Sequence, residues 1–208
     1  CKRDPVFFIN HFCWTFDPRA EDGDKHRPFI LYDFQDDEIK AADDHFFNRK
    51  DLLVEKSRDM GVSWLFAAWI FHKWLFEENF TALMGSRKAD YVDNRQVDSL
   101  FGKFDYIMNH LPEWLQPEGF IWKDHRLSMK YINPRSGNTI LGESTNTEFS
   151  RGGRFSLIFF DEFAFWEWAD AAWRAAGQTT KCRIAVSTPN GANFFKDLRF
   201  SGTIDVRT

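Results

Sequence analysis

The chain has 208 residues, of which 43% are hydrophobic and 18% aromatic, enough apolar material for one core in one domain. A charged fraction of 28%, the lack of any Gly/Ser- or Pro-rich tract, and the lack of an uncharged apolar run of about 18 residues exclude a disordered chain and a helical membrane span. The formal charge of −4 excludes a general attraction to nucleic acid, so any such contact must use a local basic patch or a ring of subunits.

In chain order, Cys1-Lys2-Arg3-Asp4-Pro5 has neither an initiator Met nor the apolar stretch of a signal peptide, which predicts an excised piece of a cytosolic protein. Residues 1–50 read as an N-terminal arm with aromatic clusters at Phe7-Phe8 and Phe46-Phe47, leading into a helix over 35–48. Leu52-Leu53-Val54-Glu55-Lys56 is an apolar run of strand length. A glycine turn follows, then a helix from Val62 to Glu77 that is apolar around most of its circumference and therefore belongs between layers. Thr81–Gly85 is a second strand, and Ser86 a candidate N-cap for one helix running from Lys88 to His110. Pro112–Gly119 reads as a loop, and Leu127–Ile132 and Thr139–Gly142 flank Asn133-Pro134-Arg135-Ser136-Gly137-Asn138 as a hairpin. Leu157–Phe160 is a strand ending in Asp161-Glu162, and Arg183–Ser187 a last strand before Thr188-Pro189-Asn190-Gly191. Buried strands alternating with helices predict an α/β fold with a mostly parallel central sheet, whose ligands bind beyond the carboxyl ends of the strands. The cysteines, Cys1, Cys13 and Cys182, are odd in number and lack a CxxC pair, as reduced thiols would. The histidines show neither HxH nor HExxH spacing.

Three elements carry chemistry, each where a predicted strand ends. Lys56-Ser57-Arg58-Asp59-Met60-Gly61-Val62-Ser63 occupies the place of a P-loop and keeps the Gly61 and Ser63 of GxxxxGK[ST]. It has Lys56 for the first glycine and Val62 for the usual lysine. A loop entering a helix still offers backbone N–H groups to phosphate oxygens, with Lys56 or Arg58 as the cation and the Ser63 hydroxyl on Mg2+. Asp161 and Glu162 end a buried strand with paired acids, for which a divalent metal is a natural partner; the first would hold Mg2+ and the second activate water. Ser187-Thr188-Pro189 places hydroxyls within reach of a γ-phosphate on a turn able to move. Each of these has an ordinary reading as a turn or cap, and only their order at successive strand ends makes the pattern specific.

In that order the chain resembles the large subunit of tailed-phage and herpesvirus-type terminases, a family that tolerates a Walker A lysine at the start of the loop, as Lys56 stands here. The resemblance extends over most of residues 27–191. It implies an ASCE-type P-loop NTPase: a three-layer sandwich with a small β-hairpin insertion. Residues 1–50 would be an arm bearing an adenine-recognition segment and 51–208 the core. Pro28-Phe29 and Gln35 resemble that adenine motif, a Gln amide being able to donate to and accept from a base edge. Arg151, with Arg154 as alternative, resembles an arginine finger that reaches a neighbouring subunit's nucleotide.

The implied function is ATP hydrolysis, with ATP and Mg2+, driving double-stranded DNA into a procapsid. Implied partners are DNA, a portal protein, a small terminase subunit and further copies in a homo-oligomeric ring, in the host cytoplasm and away from membranes. The resemblance then assigns Glu162, Arg58 and Arg151 to catalysis, Ser63 and Asp161 to metal, and Gln35, residues 56–63 and Thr188 to nucleotide. Terminase large subunits also carry a nuclease domain built on clustered acids; only Asp197 and Asp205 follow Gly191 here, so that domain is expected to be absent. Another nucleic-acid translocase or helicase, or an inert P-loop scaffold as Val62 would suggest, are the competing readings. Arg87 and Lys88 are further candidates for phosphate or DNA contact.

Overall fold

Burial on both faces of each central strand is what builds the layers. The structure is a computed structural model that describes residues 1–20, 23–146 and 148–208. On β3 (Leu52–Glu55), Leu52 and Val54 join one core while Leu53 joins the other. β4 (Thr81–Ser86) does the same with Ala82 and Met84 against Leu83, β8 (Leu157–Asp161) with Leu157 and Phe159 against Ile158 and Phe160, and β9 (Arg183–Ser187) with Ile184 and Val186 against Ala185. A strand buried on both sides has no polar face to show, so these segments read as continuous apolar runs.

The remaining elements fill the two outer layers and the sheet edges. α1 (Pro5–Phe12), α2 (Asp33–Asn48), α3 (Val62–Phe76) and α5 (Leu100–His110) contribute to the first core, α7 (Ala169–Thr179) and α8 (Phe194–Phe200) to the second. With α4 (Ala89–Val92), α6 (Trp122–His125), β5 (Arg126–Leu127), β6 (Lys130–Ile132), β7 (Thr139–Ser144) and β10 (Asp205–Arg207), the sheet runs in the order β10-β3-β9-β8-β4-β7-β6-β5. All pairings from β10 to β7 are parallel, and β6 and β5 continue antiparallel. The predicted hairpin is present, with Ile132 opposite Thr139. Its second arm also pairs with β4, so it widens the central sheet.

The N-terminal arm holds more structure than its sequence suggested. Asp4 caps α1 by accepting from the Phe7 amide at 2.9 Å, and β1 (Trp14–Phe16) pairs antiparallel with β2 (His26–Pro28). Among the described residues no helix is long and apolar enough to cross a membrane.

One predicted helix is corrected. The span from Lys88 to His110 is two helices separated by residues 93–99, and Ser86 is the buried last residue of β4, not a cap. Asp93 turns inward instead, where Arg126 donates to it at 2.8 and 2.9 Å and to Asp105 at 2.6 and 2.9 Å. Arg95 takes φ 64°, and Ser99 starts the second helix by accepting from the Gly102 amide at 3.1 Å. A buried carboxylate needs its partner more than a helix needs an unbroken ladder of hydrogen bonds.

Candidate active site

The carboxyl ends of β3, β8 and β9 lie side by side, and the sequence motifs ride on them. Leaving β3, Lys56 donates its amide to Ser187 O at 3.0 Å, so the phosphate-loop candidate starts tied to the end of β9. Asp59 and Gly61 both adopt left-handed backbone, φ 65° and 68°, which curls the chain before α3 begins at Val62. Glycine suits its position twice over, because a Cβ on Gly61 would lie 3.2 Å from the Gln35 amide nitrogen.

Val62 is only 5% exposed and packs in the first core, so this position has no cation to offer a phosphate. Lys56 is half-buried at the mouth of the loop, while Ser57, Arg58 and Asp59 are exposed. Arg19 from the N-terminal arm pairs with Asp59 at 2.9 Å across the loop tip, and this hydrogen bond holds the Asp59 carboxyl below its ordinary range. Ser57 donates its amide to Met60 Sδ at 3.3 Å.

Ser63, in the first turn of α3, donates its hydroxyl to Asp161 Oδ1 at 3.1 Å. Burial pushes the Asp161 carboxyl up to about 6, with Lys103 opposing the rise and Glu162 adding to it. The Trp166 indole donates to Asp161 O at 2.9 Å, fixing the strand end from behind. Glu162 follows at φ 55°, left-handed and half-buried, turning the chain into a short 3-10 turn over Phe163–Phe165. Ser187 Oγ accepts from the Ala164 amide at 3.0 Å and donates to Thr188 O at 2.9 Å, so the third motif grips the turn after the acid pair.

Gln35 lies beside the loop with both ends of its amide engaged: Nε2 donates to Met60 O at 2.9 Å, and Oε1 accepts from Tyr32 N at 3.1 Å. It braces α2 against the phosphate loop. The two finger candidates sit at opposite ends of the sheet. Arg151 follows Ser150, whose amide donates to Glu143 near the carboxyl end of β7, and is exposed with Glu148 at 3.1 Å. Arg154 precedes Ser156, whose amide donates to Thr81 O at the amino end of β4, and lines a separate cleft there. Arg87 stacks over Tyr91 and Phe165, 5.0 and 5.5 Å from their ring centroids.

The site also uses residues that sequence reasoning passed over. Lys103 on α5 is buried, donates from Nζ to Asp98 O and Ser99 O at 2.8 and 3.3 Å, and brings its charge to bear on Asp161. A single lysine among Phe101, Phe104, Ile107 and Met108 was its available signal. Trp166 is admitted by Gly85, where a Cβ would lie 2.6 Å from the Trp166 ring.

As a metal site, Ser63 and Asp161 supply oxygen ligands only. Among the described residues no group of three or more His, Cys, Asp or Glu side chains converges. Such a donor pair suits a hard cation whose other ligands are phosphate oxygens and water, as Mg2+ requires, and does not suit a soft metal held by protein alone.

The sequence of residues 53–207 matches the family described as terminase large subunit, T4likevirus-type, N-terminal. The chain belongs to that family. The fold is similar to that of the large terminase of bacteriophage HK97, with a TM-score of 0.70 at 18% identity over 99% of this chain and 43% of that one. The large terminase ATPase domain of Thermus phage P74-26 follows at 0.51 and 16% identity, covering 71% of this chain and 62% of that one. The Sulfolobus solfataricus SWI2/SNF2 ATPase core, solved in complex with double-stranded DNA, aligns at 0.52 and 14% identity over 83% and 35%. This chain therefore spans less than two thirds of each of these proteins. No curated protein matches it in sequence.

Proposed function

We propose that this terminase domain binds and hydrolyses ATP with Mg2+ and uses the cycle to translocate double-stranded DNA. Residues 1–50 would serve as the adenine-side arm and 51–208 as the motor core. The observation that carries this reading is the Ser63–Asp161 hydrogen bond at 3.1 Å, which joins the phosphate loop to a strand two places away in the sheet. The same two oxygens would hold the metal, which in such sites neutralises charge on the β- and γ-phosphates.

The chain's own residues then divide the work. Backbone N–H groups of residues 57–63 and the start of α3 receive the phosphates, with Lys56 as the cation nearest the fold and Arg58 reaching from solvent. Glu162 orients water and accepts its proton. Ser187 and Thr188 couple the change at the acid pair to the phosphate loop, because Ser187 bonds both Lys56 N and Ala164 N. Arg151 would act on a neighbour's nucleotide in a ring, and its exposure at the carboxyl end of the sheet supports it over Arg154. DNA, a portal protein and a small subunit are the proposed partners, in the cytoplasm of the host.

Mg2+-dependent phosphate release from purified protein tests this directly. Glu162→Gln should lose turnover by two orders of magnitude or so while ATP still binds, and Ser63→Ala should weaken binding in Mg2+ but not in EDTA. Full hydrolysis by the Glu162 variant, or no ATP binding by the native chain, would refute the reading; the second result would leave an inert scaffold.

A further inference from the structure

The segment that carries Arg151 is fastened to the sheet by one buried ring. Glu148 and Arg151 are exposed, yet Phe149 between them has no accessible surface. Its ring stands edge-on to Trp166 at 5.0 Å and 85°, and its centroid lies 5.4 Å from that of Phe160 on β8. Gly85 of β4 makes the room: a Cβ there would lie 2.6 Å from both the Phe149 and the Trp166 rings, so any side chain would push them out of the notch.

The seat is itself fixed. The Trp166 indole donates to Asp161 O at 2.9 Å, which anchors this wall of the notch to the end of β8 without help from Phe149. On the other side of the ring, Ser150 takes left-handed φ 67° and donates its amide to Glu143 Oε2 at 2.9 Å. A serine in that conformation is held there by its surroundings, not by its own preference. An exposed arginine must give up many rotamers to reach a group on another molecule, and a fixed backbone beside it reduces what remains to be ordered. Placement of a charge on a transferring phosphoryl group tolerates little error, so the support behind such a side chain matters as much as the charge.

We infer that Phe149 is a positioning residue for the arginine finger: seated in the Gly85 notch against Trp166, it sets where Arg151 leaves the surface toward the adjoining subunit. This rests on the reading of Arg151 given above.

Two chains, each lacking one half of the machinery, provide the test. Arg151→Ala keeps a hydrolytic pocket and lacks the finger, while Glu162→Gln keeps the finger and lacks turnover, so phosphate release by their mixture measures a finger donated in trans. Phe149→Leu added to the Glu162→Gln chain should lower the recovered rate about tenfold, whereas the same change in the Arg151→Ala chain should lower it by about twofold at most. Equal losses in the two placements would mark a general weakening of the fold, and no loss in the donor would mean that Arg151 does not depend on the seat; either result overturns the inference and leaves the finger intact. No recovery by the parent pair would overturn the finger together with the inference. A second measurement needs no nucleotide: tryptic cleavage after Arg151 should be about fivefold faster in Phe149→Leu than in the native chain, and an unchanged rate would show that the ring does not hold this segment. Should Phe149→Leu lose its native circular dichroism, Phe149→Met, whose unbranched side chain fills irregular space, takes its place in both measurements with the same outcomes.

Discussion

His72 is buried on α3 with Nε2 hydrogen-bonded to Cys1 O at 3.0 Å and Nδ1 unpartnered among the described residues. Burial, helped by the neighbouring Lys73 charge, depresses its pKa to about 3. Unfolded, the ring takes a proton near 6.5, so below that pH the unfolded chain binds a proton that the folded one refuses. Stability from this group is complete above pH 6.5 and falls as the pH drops toward 3, with an upper limit of about 5 kcal/mol. Denaturant melts of the native protein and His72→Phe from pH 7 to 4 should therefore converge, the native chain losing stability faster. Parallel curves would mean that the imidazole is solvated in the folded state. At this same scale, the sequence pointed to the acids and to Ser63 but not to Lys103. Its place beside Asp161 comes from burial, and composition along a helix does not say which polar residue faces inward.

For the elements, the instructive case is the segment between α4 and α5. Gly102 stands in the first turn of α5, where alanine normally improves a helix by about 1 kcal/mol. Here a Cβ would lie 1.7 Å from Gln96 O, inside the backbone of the preceding loop. Gly102→Ala is therefore expected to destabilise the protein by about 1–3 kcal/mol, read from a lowered urea midpoint, and a raised midpoint would show that the loop gives way. A single helix was predicted over 88–110 because residues 93–99 hold no Gly or Pro to mark a break. Only a buried partner distant in sequence, Arg126, reveals that Asp93 must leave the helix. The strands were legible because double-sided burial writes itself as apolar runs. α1, β1 and β2 were not, being short and dependent on packing against α3 and α5 for their stability.

At the level of the whole molecule, the proposed arginine finger has a consequence for concentration. Arg151 is exposed and engages Glu148 of its own chain, and the proposal assigns it to a neighbour's nucleotide. Phosphate release per chain should thus rise with protein concentration, or on adding an assembly scaffold, and Arg151→Ala should abolish the rise. Mixing that variant with Glu162→Gln should recover part of the rate, since each supplies what the other lacks. An Arg151→Ala protein whose rate still climbs would move the finger to Arg154 or dispense with it. The order of motifs along the chain conveyed the fold family, while the hydrogen bond by which Gln35 ties α2 to the Met60 carbonyl was not foreseen, the sequence having offered Gln35 for adenine.

The left-handed backbone at Glu162 sets two demands against one another. A side chain is disfavoured in that conformation by about 1–2 kcal/mol, and glycine or asparagine would sit there more comfortably. Under the proposed mechanism, a library screened for heat resistance alone would drift toward those residues and discard the carboxylate, yielding sturdier proteins that no longer turn over. The corner thus joins the group that the proposed water activation requires to a backbone shape that such a side chain resists.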